Sequence, residues 1–152
     1  MRTGLRLKTA VAAMTAAAVI AIGAEAAAAG GLPVLAGPWA PGQQGYGHVK
    51  PHTIFNGGDP TGLVKMIHWN SWGGQRAIGT GTALWVGPHQ IVAQGKFEKG
   101  AKIVLFQLGR CQGRLAYNAI EWYFPEHAQK FSAGNYINAC TGTYYMNGHP
   151  LP

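Results

Sequence analysis

After position 29 the chain holds six histidines, four carboxylates, two cysteines and two serines, and any side-chain chemistry has to come from these. Neither serine sits in a G-x-S-x-G elbow. Ser71 is three residues from His68, and on a strand such positions face opposite ways, so the two do not pair directly. Glycoside hydrolysis asks for two carboxyls at a set separation. Asp59 precedes a proline and reads as a turn residue, Glu98 lies between Lys96 and Lys99, and Glu121 and Glu126 flank Pro125. His48 and His52 are four apart, but Pro51 argues against the helix that would align them, and no other histidine spacing matches a metal motif. No metal and no cofactor is expected. Cys111 and Cys140 are too few for a four-ligand zinc site. In an exported chain an even count implies pairing, and two cysteines allow one disulfide. It would close a loop of about 30 residues, worth roughly 3–4 kcal/mol in chain entropy.

Aromatic residues are the remaining candidates. Exposed rings on an exported β-domain stack on sugars or bury in a partner. Trp69, Trp122 and Phe106 read as core, whereas Tyr144-Tyr145 sends one ring to each face of a strand. Trp72 stands beside Gly73-Gly74 with Arg76 close behind it. The expected ligand-binding set is Trp72, Arg76, His68 and Asn70, with the guanidinium available to an acidic group. The alternative is that Trp72 folds back as a lid over the sheet edge.

The element that must position this set is a hairpin over 66–86, MIHWNSWGGQRAIGTGTALWV, turning at Gly73-Gly74. Alternation puts Ile67 and Trp69 on one face and Met66, His68, Asn70 and Trp72 on the other. A two-residue loop sets Trp69 opposite Ile78 and Ile67 opposite Thr80, which makes that face the core. His68 then lies opposite Gly79, Met66 opposite Gly81 and Asn70 opposite Ala77. The resulting trough of Gly and Ala suits either another aromatic of the same protein or a flat ligand. A one-residue slip, as from a three-residue loop, would exchange the faces.

The flanking chain reads as follows. Residues 1–29 carry Arg2, Arg6 and Lys8, then an apolar run and Ala-rich cleavage choices, the pattern of a cleaved secretory signal peptide. Residues 30–45 form a Gly- and Pro-rich flexible arm, and 46–152 a single β-domain. Within it, 48–55 resembles a short edge strand and 56–62 a turn. Residues 95–100 read as an exposed loop, and 126–131 as one helical turn. A second hairpin joins 102–110 to 114–124 through a three-residue loop, Cys111-Gln112-Gly113. Pairing Arg110 with Arg114 makes Val104, Phe106 and Leu108 share a core face with Ile120, Trp122 and Phe124. Two short strands, 135–140 and 143–146, precede a tail. Short strands, many glycines and no amphipathic helix point to an all-β fold, a small antiparallel β-sandwich or barrel-like domain.

The runs HVKPHTIFNGGDPTG, IHWNSWGGQRAIGTGTALWV and YNAIEWYFP together resemble a group of small exported actinobacterial proteins with a W-x-S-W-G-G…A-x-G-T-G-T core. The likeness spans 48–143 and implies export and an all-β fold, with no activity attached. Members of that group carry a cysteine pair after the second strand of the hairpin. Here that stretch is Gly87-Pro88-His89-Gln90, so no role resting on that pair carries over.

Beyond position 29, nine basic and four acidic side chains leave a net charge of +5. The excess is spread along the chain. It favours loose attraction to anionic wall polymers or acidic glycans, and neither a basic run nor a motif accompanies it to suggest nucleic acid. The expectation is a secreted, extracellular monomer without an integral membrane span. It would bind a glycan, a cell-wall polymer or a protein without catalysis. The alternatives are a small secreted hydrolase and a secreted protease inhibitor. The inhibitor would use the Cys111 loop.

Overall fold

The structure, a computed structural model, describes residues 31–152. The expected signal peptide, 1–29, lies outside the described residues. The strands are β1 (Val34–Leu35), β2 (Ile54–Phe55), β3 (Leu63–Ser71), β4 (Ala77–Trp85) and β5 (Lys96–Cys111). They continue with β6 (Arg114–Tyr123), β7 (Tyr136–Asn138), β8 (Tyr144–Met146) and β9 (His149–Pro150). There is no α-helix among the described residues, and three short 3-10 turns punctuate the strands. From β2 to β9 each strand pairs antiparallel with its successor in one sheet, which curls into a half-barrel. The fold is thus all-β and barrel-like, with a single sheet in place of the two layers of a sandwich.

The curl has a local origin. Strand pairing slips between Lys65 and His68 in β3, between Trp69 and Ser71, and between Gly81 and Thr82 of β4, opposite Gly100. Gln107 is skipped in the pairing of β5 with β6 without a change of register. Met66, Gly100 and Gln107 all have positive φ, at 54°, 87° and 56°. The extra residues in β3 and at Gly100 bend their strands and raise the twist, as β-bulges do. Each also resets the alternation. Val64 and Ile67, three apart, are both buried, while the intervening Met66 is 61 % exposed. Leu105 is buried and Leu108 packs on the same cluster, while Gln107 points to solvent.

The first hairpin therefore departs from the expected register. Five residues, not two, separate β3 from β4. Trp69 pairs with Gly79 and His68 with Thr80, while Ile78 faces solvent. The core side of β4 is the small-residue set Ala77, Gly79, Gly81 and Ala83. Its trough is filled from within: a Cβ on Gly79 would lie 2.9 Å from the Trp69 ring and 3.1 Å from Ile67 Cγ2.

The second hairpin also differs from expectation. Cys111 pairs with Arg114, leaving a two-residue turn, Gln112-Gly113, with both φ positive at 51° and 79°. This is the I′ geometry that matches strand twist. One residue less in the loop inverts β5, so Ile103 and Leu105 join Ile120 and Trp122 on the core face. Val104, Phe106 and Ala119 form a smaller cluster on the other face, covered by Phe131, Tyr123 and Tyr136.

Of residues 30–45, read as a flexible arm, the described part instead helps to close the core. Val34, Leu35 and Ala36 are buried, and β1 runs parallel to β6 with Leu35 beside Tyr117. Alternation gave no hint of this, because a two-residue strand has no period to read. Of residues 95–100, read as a loop, 96–100 belong to the start of β5, and the tail residues His149-Pro150 pair with β8. Of the expected edge strand 48–55, only Ile54–Phe55 is regular. The helical turn expected over 126–131 is a 3-10 turn at Pro125–His127. Cys111 and Cys140 form the disulfide, with Cα atoms 5.8 Å apart, joining the β5–β6 turn to the loop after β7.

Candidate functional site

The four residues expected to form a binding surface do not converge. The bulge at Asn70 separates Trp72 from the face it would have shared with His68. His68 and Asn70 are exposed on the outer side of β3. Trp72 turns inward instead. Its indole N–H donates to the Pro33 carbonyl at 2.8 Å, and its ring meets Trp69 and Tyr117 edge-on at 4.7 and 5.4 Å. Tyr117 completes the plug: its hydroxyl donates to the Gly74 carbonyl and accepts from Gly73 N–H, at 2.8 and 2.9 Å. Trp72 is a lid over one end of the half-barrel. Arg76 lies on the outer side, its guanidinium 4.7 Å from the centre of the Phe131 ring.

An aromatic groove lies elsewhere. Three hollows meet at Tyr144, whose side chain is 49 % exposed. Two of them also share Trp122 and Ile137. One extends toward the loop before β3, over Asn56, Gly57, Gly58, Asp59 and Thr61. A second runs between β6 and β8 toward Tyr136 and Tyr145, whose rings stack 4.6 Å apart. The third borders Thr141 and Thr143. The groove exists because β7 and β8 have three residues each and leave the end of β6 at Trp122 uncovered.

The polar rim is held in place by local bonds. Tyr46, almost fully buried, donates its hydroxyl to Asn56 Oδ1, and Gln43 Nε2 holds the Asn56 carbonyl at 2.9 Å. Burial, and secondarily the neighbouring Tyr144 phenol, hold the Tyr46 hydroxyl above the usual phenol range, so it remains a donor. The Asn56 amide nitrogen has no protein acceptor among the described residues. Asp59 caps the 3-10 turn Pro60–Gly62: its Oδ1 accepts from the Thr61 hydroxyl and, at 2.8 Å, from Thr61 N–H. The Thr61 hydroxyl, then its N–H, hold the carboxyl below its ordinary range. Its Oδ2 takes no bond from the described residues.

Glu121 is the other carboxyl near the groove, but alternation along β6 turns it to the opposite face from Trp122. There its carboxylate accepts Ser132 N–H at 2.9 Å. Burial pushes it up to about 7, offset in part by that bond. Glu121 lines the hollow of Tyr136 and Tyr145, and Asp59 the one toward the loop before β3. Ser71 Oγ accepts from Ile78 N–H at 3.1 Å and is a strand-end bond, with no histidine at hand. A further cluster joins His127 to Glu98 at 2.6 Å, with the imidazole stacked on Trp85 at 3.9 Å. Among the described residues no three His, Cys, Asp or Glu side chains gather as metal donors, and no helix is long and apolar enough to cross a membrane.

Sequence reasoning had singled out Tyr144 as a ring facing one side of a strand. It placed Trp122 in the core and Asp59 in a turn, and both statements describe only half of what each residue does. The strand brevity that uncovers Trp122 was visible in the sequence, but not its consequence. No protein-family model, no curated protein and no solved structure matches the chain at a significant level.

Proposed function

We propose that the mature chain is a secreted, non-enzymatic β-domain that binds a glycan in the groove centred on Tyr144 and Trp122. The observation that carries this reading is a half-exposed tyrosine beside a partly uncovered tryptophan, in an open groove rimmed by fixed polar groups. Rings so placed stack on the C–H faces of a sugar while the rim meets its hydroxyls. Secretion accords with the charged n-region, the apolar run after it and the oxidised cysteine pair. The hydrolase alternative would need two carboxyls set across one space, and Asp59 and Glu121 line different hollows. The inhibitor alternative lacks a protruding loop, since the disulfide-bound turn is two residues long.

The test is retention on insoluble cell-wall polysaccharide. Tyr144→Ala removes a ring that is half in solvent, so the melting temperature should hardly change while affinity falls about tenfold, or about 1.4 kcal/mol. Equal retention of the parent protein and Tyr144→Ala would refute the reading.

A further inference from the structure

The groove differs in charge from the rest of the protein. None of the described lysines, arginines or histidines lines any of the three hollows that meet at Tyr144. Their lining is aromatic, aliphatic, hydroxyl, amide and glycine, and its two carboxyl groups are Asp59 in one hollow and Glu121 in another. The basic residues sit elsewhere. Arg110 and Arg114 border a separate hollow with Leu32 and Val34, Lys102 Nζ donates to Thr80 at 2.9 Å, and Lys65 lies over Phe97. A positively charged protein has thus kept its positive charge out of its most aromatic groove.

We infer that the groove takes a neutral, hydroxyl-rich sugar chain and discriminates against acidic ones, with Asp59 Oδ2 accepting from sugar hydroxyls and the Asn56 amide donating to a sugar oxygen. This rests on the glycan reading above and adds the ligand class. Three physical points support it. The Asp59 carboxylate is fixed by Thr61 through one oxygen, so it loses little freedom on binding while the other oxygen keeps its acceptor capacity. Asn56 is fixed in the same way by Tyr46, which takes its oxygen and leaves the nitrogen as donor. A uronate or phosphate in the groove would meet a like charge with no cation to offset it, which is how a site excludes a competitor. The basic residues outside the groove attract acidic polymers only through screened, long-range fields.

The discriminating experiment is affinity electrophoresis in gels of soluble neutral polysaccharide (glucan, mannan and xylan in turn) and of polygalacturonate, at low and high salt. The parent chain is compared with Tyr144→Ala and Asp59→Asn. Asparagine keeps the cap acceptor, so Asp59→Asn should preserve the turn, and unchanged melting would verify that. The expected result is retardation by at least one neutral polymer that persists at high salt. It should weaken about tenfold in each variant, the scale of one charge-assisted hydrogen bond or one stacked ring. Polygalacturonate retardation should fade with salt and ignore both substitutions. Salt-resistant polygalacturonate binding that depends on Tyr144, with no neutral polymer held, would overturn the inference and leave the glycan reading intact. Neutral binding that depends on Tyr144 but is untouched by Asp59→Asn would also overturn it. If Tyr144→Ala changes nothing in any gel, the glycan reading itself fails.

Discussion

Trp72 and Glu121 show how a single side chain's surroundings decide its role. Trp72 fills the gap between Trp69, Tyr117 and the Pro33 carbonyl, so truncation leaves a cavity and an unpaired carbonyl. Trp72→Ala is predicted to cost about 3–5 kcal/mol in urea unfolding, as large aromatic truncations do. A cost below about 1 kcal/mol would show that the ring is a surface feature after all. Glu121 makes a statement about pH. Its folded value of about 7 lies above the usual 4.5, so the folded state holds the proton more tightly than the unfolded chain. Its contribution is complete below about 4.5 and is lost as pH rises through about 7. Discounted for its half-exposed position, the loss is about 1–2 kcal/mol. Glu121→Gln cannot titrate. Its stability should fall less than the parent's between about pH 5 and pH 8, and parallel profiles for the two proteins would contradict this.

Between residues and fold, the positive-φ interruptions of β3 and β5 carry the argument. A regular β3 would send Val64 and Ile67 to opposite faces, and a regular β5 would do the same to Leu105 and Leu108. Met66 and Gln107 realign them at the cost of left-handed backbone. The close approach of β3 to β4 depends on glycine for a different reason. At Gly79 an added Cβ would press on the Trp69 ring, whose N–H is tethered to the Pro51 carbonyl at 2.9 Å and has little room to move. Gly79→Ala is predicted to destabilise by about 1–3 kcal/mol through overpacking. The change should appear in the near-ultraviolet dichroism of the tryptophans, and an unaltered spectrum with unaltered stability would disprove the tight contact.

For the molecule as a whole, the half-barrel is closed by pieces distant from its meander. β1 lies along β6, and the Cys111–Cys140 bridge spans 29 residues to pin the region after β7. Trp39 packs on Gly142 in that pinned region, where a Cβ would come within 2.3 Å of its ring. Replacing both cysteines by alanine frees this end. The predicted loss is roughly 3–4 kcal/mol by the chain-entropy estimate, measured by urea unfolding at fixed pH. An unchanged unfolding midpoint would mean that packing alone holds the loop.

The strand character of 63–71, 77–85 and 114–123 follows from β-branched and aromatic residues between Gly- and Pro-rich breaks, and the disulfide follows from there being two cysteines. These are local or countable properties. Register is neither. The position of a bulge is set by which residues the partner strand and the core can accommodate, and separate one-residue differences in the two hairpins exchanged the expected faces of β4 and β5. The bulge at Asn70 took Trp72 from the surface to the interior. The burial of Val34 to Ala36 needed a distant partner, β6, to satisfy backbone groups that a Gly- and Pro-rich segment cannot satisfy alone. Composition and spacing are enough for an all-β chain with a cysteine pair and a Tyr144-Tyr145 step that sends one ring to each face of a strand. Only the tertiary structure decided that Tyr144 stands beside Trp122 and Asp59, because a groove is made by strands too short to cover their neighbours, and that is a relation between strands.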